Sequence, residues 1–117
     1  MPREHKKLKV FQLCDELVLD IYKATKPFPK SETFGLTSQM RRAAVSVAAN
    51  IVEGAACDST KEFLYFLNIA RGSLAELGYY IPLSQKLGYL NQSESENLEL
   101  KHGHCIRALQ GLINSFK

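Results

Sequence analysis

The chain has 117 residues, 45% hydrophobic and 23% charged, and Lys and Arg exceed Asp and Glu to leave a net charge of +3. Those proportions exclude a disordered chain and fit one domain, residues 1–117, large enough to bury a real core. No apolar run approaches the roughly 18 residues of a membrane helix, and the basic start MPREHKKLK leads into no signal-type apolar segment, so a cytoplasmic protein without a membrane span is expected.

The charge is unevenly placed. Arg3, Lys6, Lys7 and Lys9 stand against Glu4 alone, which accounts for the whole excess, and the remainder of the chain is balanced. A mobile basic arm over residues 1–7, continued by Lys9, is compatible with RNA or DNA contact through those four side chains. It is equally compatible with a merely solubilising terminus. The cysteines, Cys14, Cys57 and Cys105, are odd in number and lack CxxC spacing, the usage of reduced thiols.

Apolar periodicity predicts four helices and no strands. Helix one is expected from Leu8 to Lys23 or Thr25, with Val10, Cys14, Leu17, Ile21 and Thr25 on one stripe. Pro27 and Pro29 stop it, since proline offers no amide hydrogen and disfavours helix in the residue before it. The connection 26–36 is long, and Phe28 and Phe34 are expected to tuck against the bundle. Helix two is expected from an N-cap at Thr37 to a C′ glycine at Gly54.

Helix three starts at a capping box, Ser59 with Glu62, and runs to about Leu87, where Gly88 ends it. Pro82 lies inside that run and is expected to kink or break it, with Gly78 at the crowded carbonyl. Helix four starts at Asn91 with Glu94 as its capping pair. It carries the line Leu98, His102, Cys105, Leu109, Leu112 and Phe116, the spacing of a bundle helix. The fold class is therefore all-α, an up-down-up-down four-helix bundle. Helix three is apolar almost all round from Phe63 to Ala70, so either another subunit covers one side of it or a large apolar patch is left in water, and a homo-oligomer is expected.

A polar stripe crosses the Ala- and Val-rich second helix: Arg42, Ser46 and Asn50 recur every four residues, with Gln39 before them and Glu53 after. Helices two and three are joined by a short turn and should be antiparallel neighbours. In a symmetric hairpin Ser46 faces the region of Asn68, Arg42 that of Gly72, and Arg41 lies near Ser73. The segment ARGSLAEL (70–77) then sets Ser73 and Glu76 close to the stripe, with Arg42 and Glu76 able to form a partly buried ion pair. Such a network of Gln39, Arg42, Ser46, Asn50, Glu53, Ser73 and Glu76 fixes helix register, and the same residues are the candidate ligand or partner site.

Catalytic patterns are missing from the sequence. There is no P-loop, no GxGxxG and no nucleophile motif. Arginine followed four to six residues later by histidine, as in HEPN-type ribonucleases, does not occur. Glu99 and His102 form one E-x-x-H, but a di-metal bundle site needs a second. His104 and Cys105 do not complete a zinc set with His102, which is expected to be a satisfied, partly buried histidine. The expectation is no catalytic residue, no metal and no cofactor.

The segments LTSQMRRAAVSVAANIVEGA (36–55), STKEFLYFLNIARGSLAEL (59–77), KLGYL (86–90) and the upstream FPKSETFGL (28–36) resemble the four-helix-bundle proteins known as the 23S rRNA intervening-sequence or S23 family. The resemblance covers nearly the whole chain. Its motif positions fall on Gln39, Arg42, Ser46, Asn50, Glu53, Gly54, Ser73 and Glu76. It implies a small bacterial helical protein similar to the accessory protein of diversity-generating retroelements, which forms ring-shaped homopentamers and binds a reverse transcriptase and nucleic acid. By that resemblance the chain is a non-enzymatic pentameric scaffold or adaptor, with RNA, DNA or a protein as partner. The GYYIP segment (78–82) departs from the family's continuous helix, and the basic excess lies in the arm rather than the body.

Overall fold

A computed structural model describes residues 2–117; Met1, the first residue of the expected arm, lies outside the described residues. A short 3-10 turn at His5–Lys7 leads into helix α1, Lys9–Thr25. A second 3-10 turn at Lys30–Glu32 precedes α2, Leu36–Ala55, and then come α3, Thr60–Lys86, and α4, Gln92–Asn114. Each helix packs on the next, and α4 returns to α1, so the core lies inside a closed ring of four antiparallel seams. The bundle measures 45 × 24 × 20 Å.

The core follows the periodicity. Cys14, Leu17 and Ile21 from α1 meet Met40, Val47 and Ile51 from α2, Phe63, Leu67, Leu74 and Ile81 from α3, and Leu98, Cys105 and Leu109 from α4. Small residues make the α2–α3 seam the most extensive. Gly54 belongs to it: a Cβ there would sit 2.9 Å from both Phe63 Cδ1 and Phe66 Cβ. Gly54 is thus a buried residue inside α2 and not its C′ stop, because close helix approach, rather than a left-handed turn, requires it.

Both ends of the α3–α4 hairpin match their capping signals. Ser59 Oγ accepts the Glu62 amide at 3.1 Å, and Asn91 and Glu94 form a reciprocal capping box at 2.8 and 2.9 Å. Gly88, with φ of +82°, closes α3. Its N–H donates to Gln85 O and that of Tyr89 to Ser84 O, the paired bonds of a Schellman turn.

Three further expectations are corrected. Helix α2 is not capped by Thr37: Glu32 Oε1 accepts the Leu36 amide at 3.0 Å, because the 3-10 turn swings that carboxylate over the helix start. Phe28 is buried against Tyr89, with ring centroids 5.2 Å apart, but Phe34 is 94% exposed. Glu32 also accepts the Tyr89 hydroxyl at 2.8 Å, and the turn so fixed points Phe34 outward. Finally, α3 continues unbroken through Pro82. Residue 78, whose carbonyl the proline ring crowds, is a glycine, and the His102 ring occupies the place of its absent side chain, 2.8 Å from where a Gly78 Cβ would lie.

Candidate functional site

The polar stripe of α2 meets α3 as a short hydrogen-bonded chain. Asn50 Nδ2 donates to Ser46 O at 2.8 Å and to Ser46 Oγ at 3.1 Å, and Ser46 Oγ lies 2.9 Å from Ser73 Oγ. Ser46 faces Ser73 instead of Asn68, more than a turn further along α3 than a symmetric hairpin gives. The seam is set by Gly54 seating on Phe63 and Phe66 and not by the midpoint of the turn.

Beside this chain opens a polar cleft of about 290 Å³ lined by Gln39, Arg42, Ala43, Ser46, Ser73 and Glu76. Arg42 Nη2 donates to Gln39 Oε1 at 3.5 Å, a weak bond, and both Arg42 and Glu76 are exposed. They share the cleft but form no salt bridge among the described residues. Glu76 instead acts on Tyr80 one turn on: burial raises the Tyr80 pKa most, Glu76 raises it further, and the Arg42 charge opposes both. Solvent around exposed charges removes the drive for a tight pair.

Arg41, expected near Ser73, and Glu53, an expected member of the network, lie elsewhere. Arg41 is turned toward α1, where Nε donates to Thr25 Oγ1 at 2.9 Å and the guanidinium stacks 4.6 Å from the Tyr22 ring centroid. Glu53 is exposed, and its backbone carbonyl accepts from Cys57 Sγ at 3.4 Å. Tyr80 was the residue sequence reasoning missed, although its i+4 spacing from Glu76 was a readable signal.

The cleft sits in a broader outer face. Tyr65, Ile69, Gly72, Glu76 and Tyr79 recur at helical spacing down the outside of α3, and Arg42, Val45 and Ala49 do so on α2. Tyr65 is 62% exposed and Tyr79 63%, and Val45 and Ile69 are also open to water.

The basic N-terminus is folded onto the bundle rather than free. Arg3 N donates to Ala55 O at 2.6 Å, and its guanidinium lies 4.6 Å from the Phe63 ring and 5.6 Å from that of Phe116. Arg3 Nη2 reaches Thr60 Oγ1 at 3.5 Å. His5 stacks edge-on against Phe11, and Lys6 O accepts from Gln12 Nε2 at 3.0 Å. Lys7 pairs with Glu4 at 3.0 Å on the surface, and Lys6, Lys7 and Lys9 are exposed. Arg3 therefore closes one end of the core, and three lysines remain directed to solvent. The same end carries Glu53, Asp58 and Glu62, whose charges add to burial in raising the Cys57 thiol pKa.

On α4, His102 Nε2 lies 2.6 Å from Leu74 O, so the ring serves the α3–α4 seam. Among the described residues no three His, Cys, Asp or Glu side chains gather where a metal could be held. No helix among them is long and apolar enough to cross a membrane.

Residues 6–111 match the family described as 23S rRNA-intervening sequence protein. The chain belongs to the 23S rRNA-intervening sequence protein family. A crystal structure from Bacteroides thetaiotaomicron, described as a protein of unknown function from the S23 ribosomal protein family, is similar to this family member. It superposes with a TM-score of 0.79 at 24% identity, covering 89% of this chain and 97% of that one. At that identity the likeness speaks for the fold alone. No curated protein matches the chain.

Proposed function

We propose that this member of the 23S rRNA-intervening sequence protein family is a non-enzymatic scaffold that assembles with copies of itself through the outer α2–α3 face. The carrying observation is that face: Tyr65, Ile69, Tyr79 and Val45 are exposed around a polar cleft whose Arg42 and Glu76 form no salt bridge among the described residues. Exposed apolar surface rimmed by polar groups favours a protein interface. The resemblance to ring-forming bundle proteins makes a homopentamer the specific assembly. Each copy would bring Lys6, Lys7 and Lys9 to the ring, and repeated weak phosphate contacts add up to modest, salt-sensitive binding of RNA or DNA.

A second reading, a ring that recruits a protein partner without touching nucleic acid, is favoured by the acids Glu53, Asp58 and Glu62 beside the arm. Light scattering on the eluted protein tests assembly. A defined oligomer that falls to monomer with Ile69→Glu or Tyr65→Glu is expected, and a monomer at high concentration sinks the scaffold reading. Filter binding of RNA across a salt series separates the two partners: affinity that falls with salt supports nucleic acid, and none at low salt supports the protein partner.

A further inference from the structure

Two cysteines that the proposed scaffold does not use meet in the core. Cys14 comes from α1 and Cys105 from α4, each only 1% exposed, and each thiol shifts the ionisation of the other. The helices bring them together in register. Lys101 on α4 reaches Asp20 of α1 at 2.7 Å on one side of the pair, and Val10 of α1 lines a shared hollow with Ala108 and Leu112 of α4 on the other. Antiparallel helices with those neighbours place residues 14 and 105 opposite each other.

A cleft of about 170 Å³ opens along the α1–α4 seam, lined among others by Leu13, Leu17 and His104, the sequence neighbours and next turn of the two cysteines. It is wide enough for a molecule of the size of water or hydrogen peroxide. The neighbouring Cys14 thiol holds the Cys105 pKa below that of an ordinary thiol, while the Cys105 sulfur and burial push the Cys14 pKa up. Cys105 is therefore the better nucleophile of the two.

We propose that Cys14 and Cys105 are a disulfide-forming modification site, oxidised by small peroxides to a covalent staple between α1 and α4. In the first step the Cys105 thiolate attacks one peroxide oxygen, the O–O bond breaks, and the displaced hydroxide takes a proton to leave as water, giving a sulfenic acid. In the second step the Cys14 sulfur attacks that sulfenic sulfur; the S–O bond breaks, the S–S bond forms, and the Cys14 proton leaves with the hydroxyl as a second water. One peroxide is reduced and two thiols are oxidised. The bond would tie the first helix to the last across most of the chain, so it restricts the unfolded ensemble strongly.

Cys57 lies in the α2–α3 turn, apart from this pair, so Cys57→Ser isolates the two buried thiols. That variant is treated with hydrogen peroxide while folded, then denatured in an alkylating reagent and mapped by peptide mass spectrometry. The expected result is a Cys14–Cys105 peptide lacking two hydrogens, no alkylation at either position, and a melting temperature raised on the order of 10 °C and restored by dithiothreitol. Complete alkylation of both cysteines, linkage between chains, or a lower melting temperature after oxidation would overturn the proposal. Cys14→Ala serves as the control in which peroxide should leave the melting temperature unmoved. If that variant does not fold, the map of Cys57→Ser decides the matter alone.

Discussion

Gly54 shows how one missing side chain sets the register of a whole seam. With no Cβ, α2 seats directly on Phe63 and Phe66, and a methyl group there would meet Phe63 Cδ1 and Phe66 Cβ at 2.9 Å and the Phe63 carbonyl at 3.3 Å. The phenyl ring can give way, but backbone and Cβ cannot without moving α3. Gly54→Ala is therefore expected to cost about 1–3 kcal/mol, despite alanine's better helix propensity. A fall in the urea midpoint at unchanged m-value checks it, and a gain in stability would contradict the close approach. At this scale the sequence was half readable. Helical spacing located Ser46, Asn50 and Ser73, and all three join one network. Arg41 and Arg42 are adjacent, however, and only the packing decides which faces α1 and which the cleft.

At the scale of elements, ends with local causes were legible and ends with distant causes were not. Asn91 with Glu94 and Gly88 act within a few residues, and their helix termini fall where the sequence placed them. The start of α2 depends on Glu32, whose carboxylate also holds Tyr89 from the α3–α4 loop, and nothing in the local pattern of 32–37 discloses that second partner. The Leu36 amide, then the Tyr89 hydroxyl, hold the Glu32 pKa below the usual carboxylate range. A lowered carboxylate pKa means that the stabilisation is full above the unfolded value of about 4.3 and fades as pH falls through the folded one. The gap in melting temperature between the natural chain and Glu32→Gln should thus be widest near about pH 7 and close on acidification. A gap independent of pH would show that the charge has no part in the cap.

Pro82 belongs to the same scale. The expectation of a break treated α3 as an isolated helix, where a proline costs about 3 kcal/mol. Here Leu77, Ile81 and Ser84 are fully buried on either side of it, and tertiary packing outweighs the missing hydrogen bond. Replacing Pro82 by Ala restores an amide donor toward the Gly78 carbonyl in a helix that already exists. The expected outcome is a gain of about 1–2 kcal/mol, read as a higher urea midpoint. A loss instead would mean that the half-buried proline ring contributes more through packing than its missing donor costs.

For the whole molecule, the four helices leave two kinds of surface whose roles separate by mutation. The four basic residues of the N-terminal segment look alike in the sequence, yet they divide. Arg3 lies over Phe63 and Phe116 at the end of the core, while Lys6, Lys7 and Lys9 face water. A guanidinium on an aromatic face contributes roughly 0.5–2 kcal/mol, so Arg3→Ala should cost about 1 kcal/mol of stability and leave any RNA affinity of the folded protein nearly unchanged. The combined change of Lys6, Lys7 and Lys9 to Gln should do the reverse. Stability stays within about 0.5 kcal/mol, as for exposed positions. The slope of log affinity against log salt should flatten by about 0.7 for each lysine that had met a single-stranded phosphate. Measuring denaturation and salt-series binding on both variants separates the roles, because a residue that only fills the bundle end cannot alter the salt slope. If Arg3→Ala flattens the slope while the lysine variant does not, the folded arm presents its guanidinium to the nucleic acid, and its stacking on Phe63 and Phe116 is released on binding.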